Sequence, residues 1–474
     1  MSSTPTIFWF RRDLRLADNP ALVEAAVRSD GIVAPTFIVD PAFAAPAGPS
    51  RAAYLRSTLE ALDATLDGNL IVRRGEPSAE LLALARELGA SSVVATTDHA
   101  PAGRRRDERV ARALASEGID VEFRDSNYAV APGVVTTKSG SPGQVFGAFR
   151  RGWELVPVAK PLEAPTGMRW RPTHSVGLDA LSEIAGSVRP SYFGELPDEV
   201  ANPQWSAGEL AAHERLTSFV ATASSYAERR DLPGEDATSR LSPFLRFGAL
   251  HPRQVLAALA EVSPDERSFE SEVCWREFYA DVLFHRPESI GRELQPSMAN
   301  LRVDRDRAAV KRFQQWARGE TGYPLVDAGM RQLLNEGWMH NRVRMVTASF
   351  LVKHLHLDWR WGAKWFMWRL IDGDVASNQH GWQWTAGTGT DPAPFHRIFN
   401  PSLQAQRFDP QGVYIRRHVA ELSSLGAPQC LLPGAGGGLL APEGYPAPIV
   451  ELNRERTEAL SRFAEARELA RVRS

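Results

Sequence analysis

The chain has 474 residues, of which 43% are apolar and 24% charged, a balance typical of a globular protein with two domains or three. Its net charge of only −2 is no sign of a nucleic-acid partner, so such a partner would need a local basic patch. No apolar run reaches the ~18 residues that span a bilayer, and the first residues do not resemble a signal peptide. Only two cysteines are present, which fits a reducing cytoplasm better than a disulfide framework.

Strand-like and helical patterns alternate over the first part of the chain. β-branched or aromatic runs occupy residues 6–10, 32–39, 70–73, 92–96 and 121–123, with helical patterns at 20–28, 51–66, 77–88 and 104–117. Strict alternation predicts a doubly wound, Rossmann-like parallel sheet, and we expect this α/β domain to span residues 1–130. No G-x-G-x-x-G follows the first strand, so the standard dinucleotide fingerprint is absent.

The rest of the chain divides into a connector and a helical region. Residues 131–205 are rich in Pro, Gly and Ser, and predict a connector with one short helix near 144–153. Apolar residues then recur at three- and four-residue spacing. The helical patterns are 208–221, 252–259, 269–284, 308–318, 325–335, 342–354, 363–371 and 449–471. We therefore expect an all-α C-terminal domain over 206–474.

Tryptophan is concentrated in this helical region, where nine of the 13 indoles lie between Trp275 and Trp384. The simplest interpretation is a core built from large aromatics. However, WMHNRVRM and IDGDVASNQHGWQW place indoles beside Asn, Asp and Arg, which a dry core tolerates only if every polar group has a partner. Aromatic faces next to such side chains suit flat ligands, such as a flavin ring or a nucleobase.

Three shorter segments carry further candidate chemistry, each with a simpler alternative. Asp372 and Asp374 lack a third ligand at metal spacing, so we predict no metal site there, and hydrogen bonds to a cofactor remain open. Hydroxyls in ATSRLSPFLRFG precede a helix as either an N-cap or a phosphate cradle. In SEVCWREFY, a surface ion pair explains Glu272 and Arg276 but leaves Trp275 without an account.

Taken together, these segments resemble the DNA photolyase/cryptochrome family, and most of all its class I cyclobutane pyrimidine dimer photolyases. The resemblance covers nearly the whole chain. It is carried, in order, by FWFRRDLRLADNPAL, TSRLSPFLRFG, WREFY, TGYPLVDAGMRQL, GWMHNRVRMVTASFLVK and DGDVASNQHGWQWTAGTGTDPAPFHRIFNP.

The resemblance implies that the helical domain binds FAD. The phosphates and ribityl chain would be held by Tyr226, Thr238, Ser239, Leu241 and Ser242. Arg276 and Arg344 would lie near the phosphates and ring, Asp372 and Asp374 at the ring edge and ribose, and Asn378 at flavin N5.

The resemblance also implies a substrate, ultraviolet-damaged DNA with a flipped-out pyrimidine dimer. Trp275 and Trp384 would pack on the dimer, Glu272 would hydrogen-bond its bases, Asn341 and Met345 would line the pocket, and Arg342 and Arg397 would meet phosphates. Excited, reduced FAD would donate an electron to the dimer, so the activity that the resemblance implies is that of a deoxyribodipyrimidine photo-lyase.

The chain resembles the repair branch of the family at Asn378 and at a second set of residues, Glu272, Trp275 and Met345. The main alternative is a cryptochrome-type blue-light photoreceptor without repair activity. A single-strand-preferring cryptochrome of the DASH type and an ordinary flavin oxidoreductase are further alternatives.

Two features depart from the family pattern. Trp382 and Trp359 match the first two members of its electron-transfer chain, but Asp306 replaces the third. We expect the path to end at Trp361, Trp365, Trp368 or Tyr323, the alternative being poor photoreduction and reliance on other reductants.

The second departure is HAPAGRRRDERV, where Ala102 and Gly103 replace the Asn-Glu pair of folate-binding members. This favours 8-hydroxy-5-deazaflavin as antenna over methenyltetrahydrofolate or none. We expect a cytoplasmic monomer with no membrane contact and no obligate protein partner.

Overall fold

The computed structural model describes residues 4–137, 140–195, 205–262, 268–390, 397–432 and 442–473. Contacts group the chain into two compact units. The first, here called the sheet unit, comprises Met1–Val188, Gln204–Ser224 and Ser239–Pro287. The second, the helical unit, comprises Arg189–Pro203, Ser225–Thr238 and Glu288–Ser474. These groups interleave along the chain, and the predicted bounds 1–130, 131–205 and 206–474 remain a prediction.

The sheet unit is built on a parallel sheet, as predicted. Its strands are β1 Thr6–Phe10, β2 Ile32–Val39, β3 Ile71–Arg74, β4 Ser92–Thr97, β5 Asp120–Ser126 and β6 Arg169–Trp170. They pair in the order β3-β2-β1-β4-β5, with β6 also on β2, and these pairings are parallel. From β1 the strand order runs through β2 to β3 on one side, and β4 and β5 lie on the other side. The order therefore reverses between β1 and β4, which is the topological switch point of the sheet.

The sheet unit also contains helices. Numbered along the whole chain, they are α1 Pro20–Arg28, α2 Pro41–Ala44, α3 Pro49–Thr65, α4 Pro77–Leu88, α5 Pro101–Ala115, α6 Phe146–Trp153, α7 Asp179–Ile184, α8 Gly208–Val220, α10 Ser242–Phe247, α11 Pro252–Ala260 and α12 Glu270–His285. Ile7 and Trp9 share a core with α4 and α5, so Phe8 and Phe10 face the other side of the sheet because strand side chains alternate. The predicted connector contains the expected short helix and also β6, which extends the sheet.

The helical unit contains α9 Tyr226–Arg229, α13 Arg307–Arg318, α14 Pro324–Glu336, α15 Asn341–Lys353, α16 Trp359–Arg369, α17 Val375–Ala386, α18 Pro401–Phe408, α19 Val413–His418 and α20 Leu452–Arg473. The predicted α/β and all-α organisation is thus confirmed. The sequence patterns did not predict α9, α17, α18 and α19. In the described ranges no helix is both long and apolar enough to cross a bilayer.

One large core holds the helical unit together. It includes five buried indoles together with aliphatic residues of α13 to α19. The indoles are those of Trp316, Trp359, Trp365, Trp368 and Trp382. Much of the tryptophan cluster that the sequence shows is therefore core, and the residues with a ligand-facing role must be found among those that are partly exposed.

Candidate active site

One face of α17 remains open in the helical unit. Asp374 caps the helix, where its carboxylate accepts a hydrogen bond from Ser377 N at 3.1 Å. Asn378, Gly381 and Trp384 follow on the partly exposed face at helical spacing, while the residues between them are buried. A Cβ added to Gly381 would meet no described atom within 4 Å. The glycine therefore leaves room between Asn378 and Trp384 for a flat group.

Asn378 has a fixed orientation. Its Nδ2 donates to Ala363 O at 3.1 Å and to Gln379 Oε1 at 2.9 Å. Both amide protons are used within the protein, so the end that remains for a ligand is the carbonyl oxygen, an acceptor. That polarity matches the N5–H of a reduced flavin, so the residue fits the predicted cofactor.

Arg344 forms a bidentate ion pair with Asp372, which lies two residues before the N-cap of α17. Nη1 lies 3.2 Å from Oδ1 and Nη2 lies 2.7 Å from Oδ2. Arg344 Nε also donates to Met339 O at 2.7 Å. The side chain of Asp372 is only 2% exposed, whereas that of Arg344 is 25% exposed. The pair therefore holds a guanidinium in a fixed place with one edge accessible to a ligand.

The start of α15 presents three of the predicted DNA-side residues. Asn341 is exposed, and Arg342 and Met345 are half-buried. Arg342 is already paired with Asp231, at 3.2 and 2.7 Å, and its guanidinium lies 4.6 Å from the Phe408 ring. A phosphate contact by Arg342 would have to compete with this carboxylate.

The remaining predicted residues of the helical unit lie in different surroundings. Tyr226 is buried with the Arg230 guanidinium 5.2 Å from its ring, and Thr238 is half-buried. Arg397 is exposed, and its carbonyl accepts a hydrogen bond from the buried Lys353 Nζ at 2.9 Å.

The sheet unit carries the other predicted residues, on α10 and α12. Arg276 donates to Asn127 O at 3.1 Å and Leu245 O at 3.3 Å, and stacks 4.6 Å from the ring of Tyr128. Arg276 thus contacts backbone carbonyls and an aromatic ring, which the simpler alternative of a surface ion pair with Glu272 did not include. Glu272 is half-buried.

The hydroxyl segment of the sheet unit also has a definite local structure. Ser239 Oγ accepts from Leu241 N at 3.3 Å, and Ser239 O accepts from Arg215 Nε at 2.7 Å. Leu241 is buried, while Ser242 is exposed at the first position of α10. The Ser239 hydroxyl thus makes a local turn, whereas the side chain of Ser242 lies at the surface.

Trp275 gains a partner that the sequence did not predict. Its indole stacks on Phe146, the first residue of α6, with ring centroids 3.6 Å apart and planes 6° from parallel. Phe278 and Tyr279 contact it at 5.7 and 5.4 Å. Phe146 therefore fixes the orientation of Trp275, and the only sequence signal was an aromatic at the start of the predicted short helix.

Two buried histidines of the helical unit have pKa values below the ordinary value. His380 Nδ1 donates to Ala376 O at 2.8 Å, and Nε2 lies 3.0 Å from Ser289 Oγ. Burial lowers the pKa of His380 from 6.5 to about 4, against the smaller opposing effect of Asp374. Burial lowers the pKa of His354 to about 4 as well.

We expect acid to destabilise the fold through these histidines. The unfolded chain takes up a proton near pH 6.5 and the folded chain only near pH 4, so the stabilisation is complete above pH 6.5 and falls between pH 6.5 and 4. The loss is about 3 kcal/mol for His380. Denaturant unfolding across this range should show a shallower pH dependence for His380→Gln than for the wild type. Parallel curves would show that His380 is not responsible.

The switch point of the sheet unit has a second cluster of polar groups. Arg11 pairs with Asp107 through Nη1, and in the described part of the chain its buried Nη2 has no partner. Arg106 lies 4.9 Å from the ring of Trp9. A side chain at Gly103 would collide with the Asp98 carboxylate. Local packing therefore explains the glycine that stands where folate-binding members have a carboxylate.

The predicted site residues fall into both units. Ser239, Leu241, Ser242, Glu272, Trp275 and Arg276 belong to the sheet unit, and the others to the helical unit. Within the helical unit, the structure brings Arg344 and Asp372 together and places Asn378 and Trp384 on one face of α17. Among the described residues no group of three His, Cys, Asp or Glu side chains could hold a metal ion.

Comparisons with known proteins agree with these features. Residues 269–465 match the model for the FAD binding domain of DNA photolyase, and residues 6–166 match the DNA photolyase model. The chain belongs to the DNA photolyase family. It is 38% identical to the deoxyribodipyrimidine photo-lyase of Agrobacterium fabrum, with 98% of each chain covered. The predicted family and the FAD cofactor are thereby confirmed.

Solved photolyase structures show the same fold. A class III photolyase from Agrobacterium tumefaciens is 37% identical, with a TM-score of 0.88 over 99% of this chain and 98% of that one. An archaeal photolyase from Sulfolobus tokodaii with two FAD molecules is 29% identical, with a TM-score of 0.81 over 97% and 100%. The likeness to a class III photolyase does not support the predicted class I placement, which remains a prediction.

Proposed function

We propose that this photolyase repairs cyclobutane pyrimidine dimers in DNA by light-driven electron transfer from reduced FAD. The observation that carries the proposal is the fixed amide of Asn378, whose protons are used by Ala363 and Gln379, so that its oxygen is the end left for a ligand, three residues before the open position Gly381. An acceptor in this place favours a flavin that carries a proton at N5. FAD supplies the electron when it is reduced and excited by light.

The protein's own residues would hold and orient the cofactor. The Arg344 guanidinium, fixed by Asp372 and by Met339 O, would place positive charge near the ring and stabilise its reduced, anionic form. Asp374 would accept hydrogen bonds from the ribose or ring edge. Tyr226, Thr238, Ser239, Leu241 and Ser242 would surround the phosphates and ribityl chain, with Arg276 near the phosphates.

The substrate side would use aromatic surface and a few polar groups. Trp275, held by Phe146, and Trp384 would pack on the flipped-out dimer, with Asn341 and Met345 lining its pocket. Glu272 would accept hydrogen bonds from its bases. Arg342 and Arg397 would contact the DNA backbone, which needs local charge because the net charge is −2. Extrusion is inexpensive because a dimer is already poorly stacked.

Repair of irradiated oligothymidylate by the reduced holoprotein under blue light tests this assignment. A cryptochrome-type photoreceptor would bind FAD and give no dimer reversal. An enzyme of the DASH type would repair single-stranded but not double-stranded substrate. The proposal expects repair of both.

Replacement of Asn378 by aspartate should weaken the hold on reduced flavin. The change removes both donors to Ala363 O and Gln379 Oε1 and adds a negative charge beside an anionic ring, a repulsion of roughly 1–3 kcal/mol at protein dielectric. Potentiometric titration should show a lower FAD reduction potential in Asn378→Asp. Ser377→Asp, which adds the same charge one residue earlier on α17, is the matched control. Equal potentials in the wild type and Asn378→Asp would argue against contact with N5.

The antenna proposed for the sheet unit is 8-hydroxy-5-deazaflavin, bound at the switch point between β1 and β4. Support comes from the buried Arg11 Nη2, which has no partner among the residues that the structure describes, and from the general preference of open α/β sheets for ligands at such points. The absorption spectrum of the purified protein distinguishes this cofactor from methenyltetrahydrofolate, from a second FAD and from an empty site. We also propose that the enzyme acts as a monomer in the cytoplasm, with no obligate protein partner.

A further inference from the structure

Position 306 does not serve electron transfer in this chain. Asp306 is exposed, and its carboxylate caps α13 by accepting a hydrogen bond from Ala309 N at 2.7 Å. Trp359, the expected preceding member of the path, is buried, with the Arg360 guanidinium 5.0 Å from its ring. The Trp359 indole N–H donates to Glu293 Oε1 at 3.3 Å, and Arg360 is paired with Glu293 and Asp358, so the guanidinium charge is offset. What interrupts the route beyond Trp359 is position 306, where an aspartate replaces the tryptophan that would take the charge outward.

A different series of rings leads away from Trp382. Trp382 contacts Trp316 at 6.2 Å between centroids and Phe366 at 5.0 Å, and Phe366 is stacked on Trp316 at 6.1 Å. Phe313 contacts Trp316 at 5.8 Å and Trp361 at 5.9 Å. The series Trp382, Phe366, Trp316, Phe313 and Trp361 thus connects the proximal indole to a residue that is only half-buried.

Three other aromatics fail as the outer member. Trp365 and Trp368 are buried, and within the described ranges their indole N–H groups have no hydrogen-bond partner. An oxidised indole there could neither release its proton to water nor meet a soluble reductant. Tyr323 donates its hydroxyl proton to Val450 O at 2.6 Å and packs on Phe350, outside the series.

The ring of Tyr192 is stacked on Trp361, with ring centroids 4.8 Å apart and planes 22° from parallel. Both rings are therefore candidates for the terminal electron donor. An oxidised phenol must lose its proton. The Tyr192 hydroxyl is buried, and no acceptor for it exists among the described residues. Burial and the nearby Asp358 carboxylate raise its pKa. Tyr192 is therefore suited to sharing the positive charge of an oxidised indole by stacking, and unsuited to replacing it.

Given the proposed function, on which this inference rests, we propose that Trp361 is the terminal protein donor in photoreduction of the flavin, with Trp316 as the intermediate indole. One electron leaves Trp361 and passes through Trp316 and Trp382 to light-excited oxidised FAD. Phe313 and Phe366 hold the indoles in contact and are not themselves oxidised. Oxidised Trp361 releases its N–H proton to water. A soluble thiol then returns an electron and a proton to the indole, and two oxidised thiols couple to a disulfide.

Photoreduction of the holoprotein with oxidised FAD and dithiothreitol under blue light tests this path, followed as loss of the oxidised-flavin absorbance. Trp361→Phe should slow the reaction at least ten-fold. Tyr192→Phe should keep the wild-type rate, as should the control Trp365→Phe, a buried indole on the same helix. If Trp361→Phe loses FAD, Phe313→Leu breaks the same series and should also be slow.

Two results would overturn the assignment. One is a wild-type photoreduction rate in Trp361→Phe; the other is a rate in Tyr192→Phe as slow as that expected for Trp361→Phe. Dimer repair by chemically reduced Trp361→Phe should equal that of the wild type, because the path only prepares the flavin. If the chemically reduced wild type did not repair dimers, the proposed function would be refuted, whereas the result on photoreduction would still hold.

Discussion

Replacement of Arg344 by methionine is expected to lower the free energy of unfolding by about 2–3 kcal/mol and to release FAD. The Asp372 side chain is 2% exposed and relies on Arg344 for its counter-charge. Removing one partner of a buried ion pair typically costs about 3–5 kcal/mol, and the 25% exposure of the Arg344 side chain reduces that penalty. Denaturant unfolding and FAD retention on gel filtration measure the two effects.

Arg331 provides the matched control. It forms a similar bidentate pair with Glu421, at 2.5 and 3.0 Å, in the same helical unit. Arg331→Met should reduce stability without changing FAD affinity at temperatures where the fold is intact. If Arg344→Met and Arg331→Met retain FAD equally well, Arg344 does not hold the cofactor.

Replacement of Trp275 by alanine is expected to weaken binding of dimer-containing DNA about 10- to 100-fold. Stacking of a base on an aromatic side chain contributes roughly 1–3 kcal/mol, and Trp275 is held ready for it by Phe146 at 3.6 Å. Binding of undamaged DNA should be unchanged, because phosphate contacts do not depend on the indole. Binding titrations with irradiated and unirradiated duplexes measure both.

Trp170 in β6 serves as the control for loss of an indole from the sheet unit. It is half-buried and belongs to the strand that pairs with β2. Trp170→Ala should bind damaged DNA like the wild type. Unchanged affinity in Trp275→Ala, or equal weakening for damaged and undamaged DNA, would remove Trp275 from dimer recognition.

The fold was predictable wherever local pattern and burial agree. The buried strand β1 is a continuous β-branched or aromatic run, and β2 is one except for Ala34 and Pro35; the predicted bounds of both match the structure. Helix α17 was not predicted because its buried positions carry Gln379, His380 and Gln383. A helix is predicted from apolar residues that recur at its buried positions, and here those positions are polar. These polar groups are satisfied by partners such as Ser289, about 90 residues earlier, which no local pattern reveals.

The candidate site, like the fold, could be predicted from the sequence only in part. Asn378, Asp372 and Arg344 were identified through motifs that resemble a family, and the structure adds the hydrogen bonds that orient them. The sequence did not predict two contacts, that of Asp231 with Arg342 and that of Phe146 with Trp275. In each contact the two residues are more than 100 residues apart, so sequence spacing carries no trace of the contact. The electron path was recognised as incomplete at Asp306, but only the ring contacts single out Trp361.

The most direct test of the central claim is single-turnover repair of a double-stranded oligonucleotide with one thymine dimer, by the holoprotein with chemically reduced FAD, in blue light and in darkness. The account predicts restored thymine absorbance in the light only, with the FAD still reduced at the end because the electron returns to it. Intact dimers after illumination, with reduced FAD bound throughout, would contradict it.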